Sequence, residues 1–180
     1  TGGVVSSLGK GLTAAALGTS IDLTTLDGVE AVVHLAGAGL GDRRWNSAYK
    51  REILQSRVNG TRTIATAMAT LDPRPRVLIS GSAIGFYGDT GAEPVDESAP
   101  AGTGFLADVV QAWEAAAQPA IDAGIRTAFA RSGIVASGSG GAFSRLLPVF
   151  RMGAGGRIGS GRQYWSLISL DDELAALAWL

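Results

Sequence analysis

The stretch Arg76–Asp89, RVLISGSAIGFYGD, constrains the fold more than any other part of the chain. Val77, Leu78 and Ile79 form an uninterrupted apolar run, the composition of a strand covered on both faces, as strands of parallel sheets are. The run empties into Ser80, Gly81 and Ser82 and then into the aromatic-glycine turn Phe86-Tyr87-Gly88. In an open parallel sheet, ligands lie outside the carboxyl ends of the strands. This strand end is therefore the expected floor of a nucleotide-cofactor site.

The flanking text supports a sheet of that kind. Glu30 to Gly37 reads as a short apolar strand ending in His34-Leu35-Ala36-Gly37, and its small terminal residues would let a flat ligand lie against the backbone. His34 reads more readily as a core histidine bonded to a neighbouring segment than as a catalytic group. Asn46 or Ser47 can cap a long helix running to about Leu71. Ile53, Leu54, Val58, Thr61, Ile64, Ala65 and Met68 recur on it at three- and four-residue steps and mark the face that packs on the sheet. Lys50 and Arg57 share another face, which by itself reads as solvated and basic. Pro73 and Pro75 stop the helix. A second helix is expected from Phe105 to about Ala123 with Gly124 beyond its end, then a strand from Ile125 to Val135. Ser137 to Arg162, rich in glycine, reads as a substrate-side loop and short helix, with a mobile surface loop as the plainer reading. Trp165–Leu170 reads as a short strand, and Asp171-Asp172-Glu173 sets acids at the start of a last helix.

Composition removes several function classes. The 180 residues carry a net charge of -1, so there is no basic excess to drive binding to nucleic acid or to an anionic membrane. No apolar run is long enough for a membrane span, and the first residues lack the pattern of a signal peptide. A soluble, cytoplasmic protein is expected. With no cysteine and a single histidine, neither a thiolate nucleophile nor a metal cluster is expected.

The amino terminus, TGGVVSSLGKGLTAAALG, is a glycine-rich loop entering an Ala/Leu helix, an outline that suits a phosphate cradle with Gly2 and Gly9 on the backbone side and Lys10 as a point charge. Its spacing is not that of a P-loop, because Gly11 stands where Ser or Thr would bind magnesium. A flexible entry to a helix fits the pattern equally well. As a string, GGVVSSLGKGLTAA resembles the nucleotide loop of CTP synthases, a likeness that ends near Gly18.

From Ile21 onward the segments HLAGAG, GDRRW, KREILQSRV, LISGSAIGFYGD, GFLADVVQAWEAAA, ARSGIV and GSGRQYWSLISLDDE follow one another in order. Together they resemble the atypical extended short-chain dehydrogenase/reductases, in the epimerase-like subgroup that also goes under the name of cell-division inhibitor. The resemblance implies an α/β fold, a Rossmann-like parallel sheet with flanking helices. It implies NADP or NAD as cofactor and a small-molecule carbonyl or sugar-nucleotide-like substrate. Residues 19–180 would form that domain, with 1–18 a separate phosphate-loop-like segment. Such a domain opens with a strand, a Thr-Gly-x-x-Gly-x-x-Gly turn and a second strand, so the fold is expected to be incomplete at the N-terminus, by a chimeric join or missing segments, and truncated at the C-terminus.

Carried over position by position, the resemblance assigns His34, Leu35, Ala36, Gly37 and Ala38 to the cofactor lining. Arg57, which stands where extended members often have asparagine, Ser80 and Arg131 are also placed on the cofactor side. Ser82, with Ser80 as the adjacent choice, would supply the active-site hydroxyl. Members of the wider family then carry a Tyr-x-x-x-Lys pair, in which lysine tunes a phenol to exchange a proton during hydride transfer. The corresponding positions here are Phe105 and Val109. Tyr87 is the nearest phenol able to stand in, and Arg131 or Lys50 could hold an anionic group. The leading expectation is an NAD(P)-dependent oxidoreductase or epimerase. An ATP-using ligase fragment and a non-catalytic, dinucleotide-binding regulatory protein stand as alternatives. Self-association into a homo-oligomer is left open.

Overall fold

Three short strands, β1 (Ala31–His34), β2 (Val77–Gly81) and β3 (Arg126–Ala130), pair in parallel in the order β1-β2-β3. The computed structural model describes residues 23–26, 28–138, 140–157 and 159–180. Parallel strands need long crossovers, and helices fill both connections. Helix α1 (Ser47–Thr70) joins β1 to β2, and α2 (Phe105–Ala115) with α3 (Gln118–Asp122) joins β2 to β3.

Local chemistry sets the ends of α1. Asn46 is the N-cap, its Oδ1 accepting the Tyr49 N–H at 2.8 Å, which satisfies one of the amide groups a helix start leaves free. Ile53, Thr61, Ile64, Ala65 and Met68 are buried, as their spacing requires. With Val32, Leu78, Ala117, Ala120 and Ile125 most of them form the main core between the sheet and the helices. Thr61 is polar but fully buried, and its hydroxyl accepts from Trp113 Nε1 at 2.8 Å, so the group is satisfied.

Two expected elements are divided. The helix from Phe105 to Ala123 breaks between Ala115 and Gln118, because Pro119 has no N–H to offer the carbonyl four residues back, whereas it is well tolerated in the first turn of α3. Gly124 follows with φ +77°, the left-handed conformation that ends such helices. The strand from Ile125 to Val135 is also two. After β3 the chain bends through Arg131-Ser132-Gly133, and β4 (Ile134–Ala136) pairs in parallel with β5 (Leu167–Ser169) in a second sheet. Ile134 N–H donates to the Ser166 carbonyl at 2.8 Å, and a Cβ at position 133 would stand 2.5 Å from that oxygen, so only glycine fits. Helix α4 (Gly141–Arg151) lies within the glycine-rich region, and α5 (Leu170–Trp179) closes the chain with Ser169 as N-cap and acids in its first turn.

Leu78 lies at the centre of β2 with no exposed surface, in contact with the main cluster. Leu78→Ala should lower the unfolding free energy by about 2–5 kcal/mol in urea titrations followed by circular dichroism. Leu106→Ala, at a position 38% exposed on α2, should stay within about 0.5 kcal/mol of the parent.

Candidate functional site

Register alone gathers most of the singled-out residues. His34 is opposite Ser80 on β2, and Ser80 is opposite Phe129 on β3, so the carboxyl ends of all three strands open on one edge. Ser82 continues β2 past its last pair, its N–H donating to the Ala130 carbonyl at 2.8 Å, and Arg131 follows β3 beside it. A side chain at Gly81 would meet Trp113 at 3.0 Å and the His34 carbonyl at 3.3 Å, so this end of β2 must be bare for β1 and α2 to close on it.

The segment after β1 forms a strip of small residues. Ala36, Gly37 and Ala38 are half-buried, and Leu35 is exposed. The strip is held to α1 at both ends of the Ala38 peptide group: its N–H donates to Ser56 Oγ at 3.0 Å, and its carbonyl accepts from Arg57 Nη1 at 2.9 Å. Arg57 also stacks over Trp113, 5.1 Å from the ring centroid, and burial holds its pKa below the ordinary arginine range against an opposing effect of Tyr49. It is therefore no part of a solvated basic face. Lys50 is exposed and sits over the Phe105 ring at 4.9 Å.

His34 is 3% exposed, and its Nε2 has no hydrogen-bond partner. The sequence favoured a bonded core histidine, whereas the structure leaves a buried nitrogen unsatisfied at the strand end. Burial without a compensating charge pushes its pKa down to about 4, so the ring is neutral at pH 7.

The two serines part company. Ser80 is fully buried and donates to the Gly81 carbonyl at 3.1 Å, so its hydroxyl is covered by protein. Ser82 donates to Glu114 Oε1 at 2.6 Å. Glu114 in turn receives Arg131 Nε at 2.8 Å and Nη2 at 2.9 Å, a bidentate pair, and Arg131 Nη1 donates to the Tyr87 hydroxyl at 2.9 Å. The Glu114 bonds hold the Arg131 pKa above the ordinary arginine range, with burial acting against them. Tyr87 belongs to the short 3-10 turn Ile84–Tyr87. The loop that follows returns to it at Gly102, where a Cβ would run into the Tyr87 carbonyl. Tyr87 and Arg131 line a cleft of roughly 460 Å³ with Val95, Asp96, Glu97 and Phe129. Across the edge, Arg145 of α4 donates to the Gly41 carbonyl and pairs with Asp42 at 3.0 Å, tying the glycine-rich region to the loop after β1.

Glu114 was not among the residues the sequence singled out. Its signal was available: it lies seven residues after Ala107 and four after Val110, both buried on α2, so a charge there falls on the packed stripe. Phe105 and Val109, where the resemblance places Tyr and Lys, are packing residues against Tyr49 and Ile53. Gly2, Gly9 and Lys10 lie outside the described residues.

Parallel strands joined through helices, with polar side chains converging at their carboxyl ends, define a Rossmann-like α/β domain. The sequence profile of the NAD dependent epimerase/dehydratase family matches residues 15–111, and the chain belongs to that family. An epimerase family protein of Mycobacterium tuberculosis is 46% identical over 156 residues, which is 87% of this chain and 51% of that protein. Human epimerase family protein SDR39U1, solved with NADPH, superposes with a TM-score of 0.78 at 32% identity over 84% of this chain and 54% of that one. A nucleoside-diphosphate sugar epimerase from Corynebacterium glutamicum superposes with a TM-score of 0.74 at 39% identity over 87% of this chain and 33% of that one. The chain spans about half the length of the curated relatives it matches. Among the described residues no helix is long and apolar enough to cross a membrane.

The buried neutral His34 makes stability depend on pH. Its folded pKa lies below the unfolded value, so the unfolded chain binds the extra proton, and stability present above about 6.5 is lost as pH falls toward about 4. Thermal melts across that window should show a steeper decline for the parent than for His34→Leu, the difference isolating the histidine from the carboxylates that titrate nearby.

Proposed function

We propose that this domain binds a nicotinamide dinucleotide, NADPH ahead of NADH, along the carboxyl edge of β1-β2-β3 and serves an oxidoreductase or epimerase acting on a small carbonyl or sugar-nucleotide-like substrate. The observation that carries the reading is the strip Ala36–Ala38, free of large side chains and pinned to α1, beside a buried His34 nitrogen that lacks a partner. Such a nitrogen costs folding free energy unless a ligand or water satisfies it, and a flat ligand on the strip would bring hydroxyl or amide groups to it. The human relative solved with NADPH supports the choice of cofactor.

His34, Leu35, Ala36, Gly37 and Ala38 line the cofactor, and Arg57 acts by fixing the strip through the Ala38 carbonyl. Ser82 and Tyr87 face the substrate: Tyr87 gives a proton to the developing alcohol oxygen, and Ser82 holds a neighbouring group. Arg131 has its Nε and Nη2 committed to Glu114, so its work is done on Tyr87 rather than on an anion. Bound nicotinamide supplies hydride exchange with the substrate carbon.

Titration with NADPH and with NADH, following cofactor fluorescence, tests the reading. Saturable binding is expected, and no change at high micromolar concentration overturns it. A Cβ at Gly37 would come within 3.1 Å of the Arg57 side chain, so Gly37→Val should disturb the strip and weaken NADPH by about tenfold in the same titration.

A further inference from the structure

One charged side chain is left without a task by the nucleotide reading. Glu114 stands at the end of α2 with its side chain 12% exposed, far too enclosed for a casual surface acid, and Arg131 opposite it is 20% exposed. The pair costs desolvation at both ends, so its geometry must be well satisfied to persist. It is: Glu114 accepts one bond from Ser82 and two from Arg131, and the remaining terminal nitrogen of Arg131 reaches Tyr87.

The direction of every bond in this relay is forced by chemistry. Arginine has donors and no acceptor, and an ionised carboxylate has acceptors and no donor. Ser82 therefore spends its single hydroxyl hydrogen on Glu114 and can only accept from a ligand. Tyr87 receives a hydrogen on its oxygen from Arg131. With Arg131 Nη1 donating to that oxygen at 2.9 Å and the guanidinium carbon over the Tyr87 ring, 5.2 Å from its centroid, the hydrogen of Tyr87 must point away from the guanidinium. The guanidinium is also held from its face, 3.5 Å from the Phe86 ring centroid, which leaves it little freedom to swing away.

We propose that Glu114 is the positioning residue of this site: by clamping Arg131 it makes Tyr87 a hydrogen-bond donor into the cleft, so that the cleft selects a ligand presenting an acceptor oxygen, a carbonyl, to that phenol. The proposal rests on the preceding reading only in taking Tyr87 as the group that faces the substrate. It requires neither lysine nor the phenol on α2. Phe129 and Val95 give the same cleft apolar surface that suits the carbon skeleton of such a ligand, and Asp96 and Glu97 bring carboxylates to its lining.

The test uses the whole chain and two probes of the same shape, a fluorinated cyclohexanone and its exocyclic-methylene analogue, which lacks the acceptor. Affinities are read by fluorine NMR, and NADPH binding is read by fluorescence in the same samples. The parent should bind the ketone about fivefold more tightly than the methylene compound, the size of one net hydrogen bond. Tyr87→Phe and Glu114→Gln should each bring that ratio to about one, and the double variant should lose nothing more, because both remove a single interaction. Arg131→Lys, which keeps the charge but cannot hold Glu114 and Tyr87 together, should lower the ratio as well and serves if Glu114→Gln does not fold. A Glu114 that only supports the fold would weaken both probes alike and leave the ratio intact, which overturns the proposal. A ratio of one in the parent, or no binding of the ketone, overturns it too. Loss of NADPH binding with the ratio preserved removes the nucleotide reading and leaves this one standing.

Discussion

Parallel pairing of β1, β2 and β3 is the constraint on which the site depends. Strands that run the same way bring their carboxyl ends to one edge, and each return crossing needs a helix, so the same geometry that builds the core also exposes three chain ends side by side. Three of the polar residues of the site stand at or next to those ends. His34 closes β1, Ser82 follows β2 and Arg131 follows β3. The helices contribute from behind: α1 supplies Ser56 and Arg57 to fix the strip after β1, and α2 supplies Glu114 to join the ends of β2 and β3.

The Glu114–Arg131 pair does for this edge what main-chain pairing does for the strands. Past the last paired residues, Gly81 and Ala130, main-chain bonds from the Ser82 N–H to the Ala130 carbonyl and from the Ile84 N–H to the Ser132 carbonyl continue the contact, and the side-chain relay from Ser82 to Tyr87 adds to them. A half-buried ion pair is a poor source of net stability, since desolvation offsets most of its attraction. Its value lies in direction, because a bidentate carboxylate–guanidinium contact fixes both partners in one plane. Meanwhile the positions where the family resemblance places Tyr and Lys have become packing. Val109 is buried with Tyr49 and Ile53, and Phe105 lies edge-on to Trp45 with ring centroids 5.5 Å apart.

Much of the scaffold was legible in the residues. The three- and four-residue recurrence from Ile53 to Met68 suits a helix with one covered face, and its start was narrowed to Asn46 or Ser47, of which Asn46 is the cap. The β-branched apolar run Val77–Ile79, set after the proline linker and before glycine and serine, read as a covered strand, and it is one. The divisions at Pro119 and at Gly133 were harder to read. Each depends on one residue whose effect is decided by what lies opposite, a missing N–H in the first case and the Ser166 carbonyl in the second.

The sequence by itself determined the alternation of strands and helices, the edge at which polar residues collect and the family to which the chain belongs, because periodicity and motif order are local properties. Only the tertiary structure decided what each polar group does. Ser80 and Ser82 are two residues apart and look alike in the text, yet one bonds to Gly81 and the other to Glu114. Arg57 reads as a surface charge until the fold sets Ala38 and Trp113 beside it. Glu114 and Arg131 are seventeen residues apart, and Glu114 and Ser82 thirty-two. Hydrogen bonds over such separations follow from where the helices cross the sheet, which no local pattern encodes.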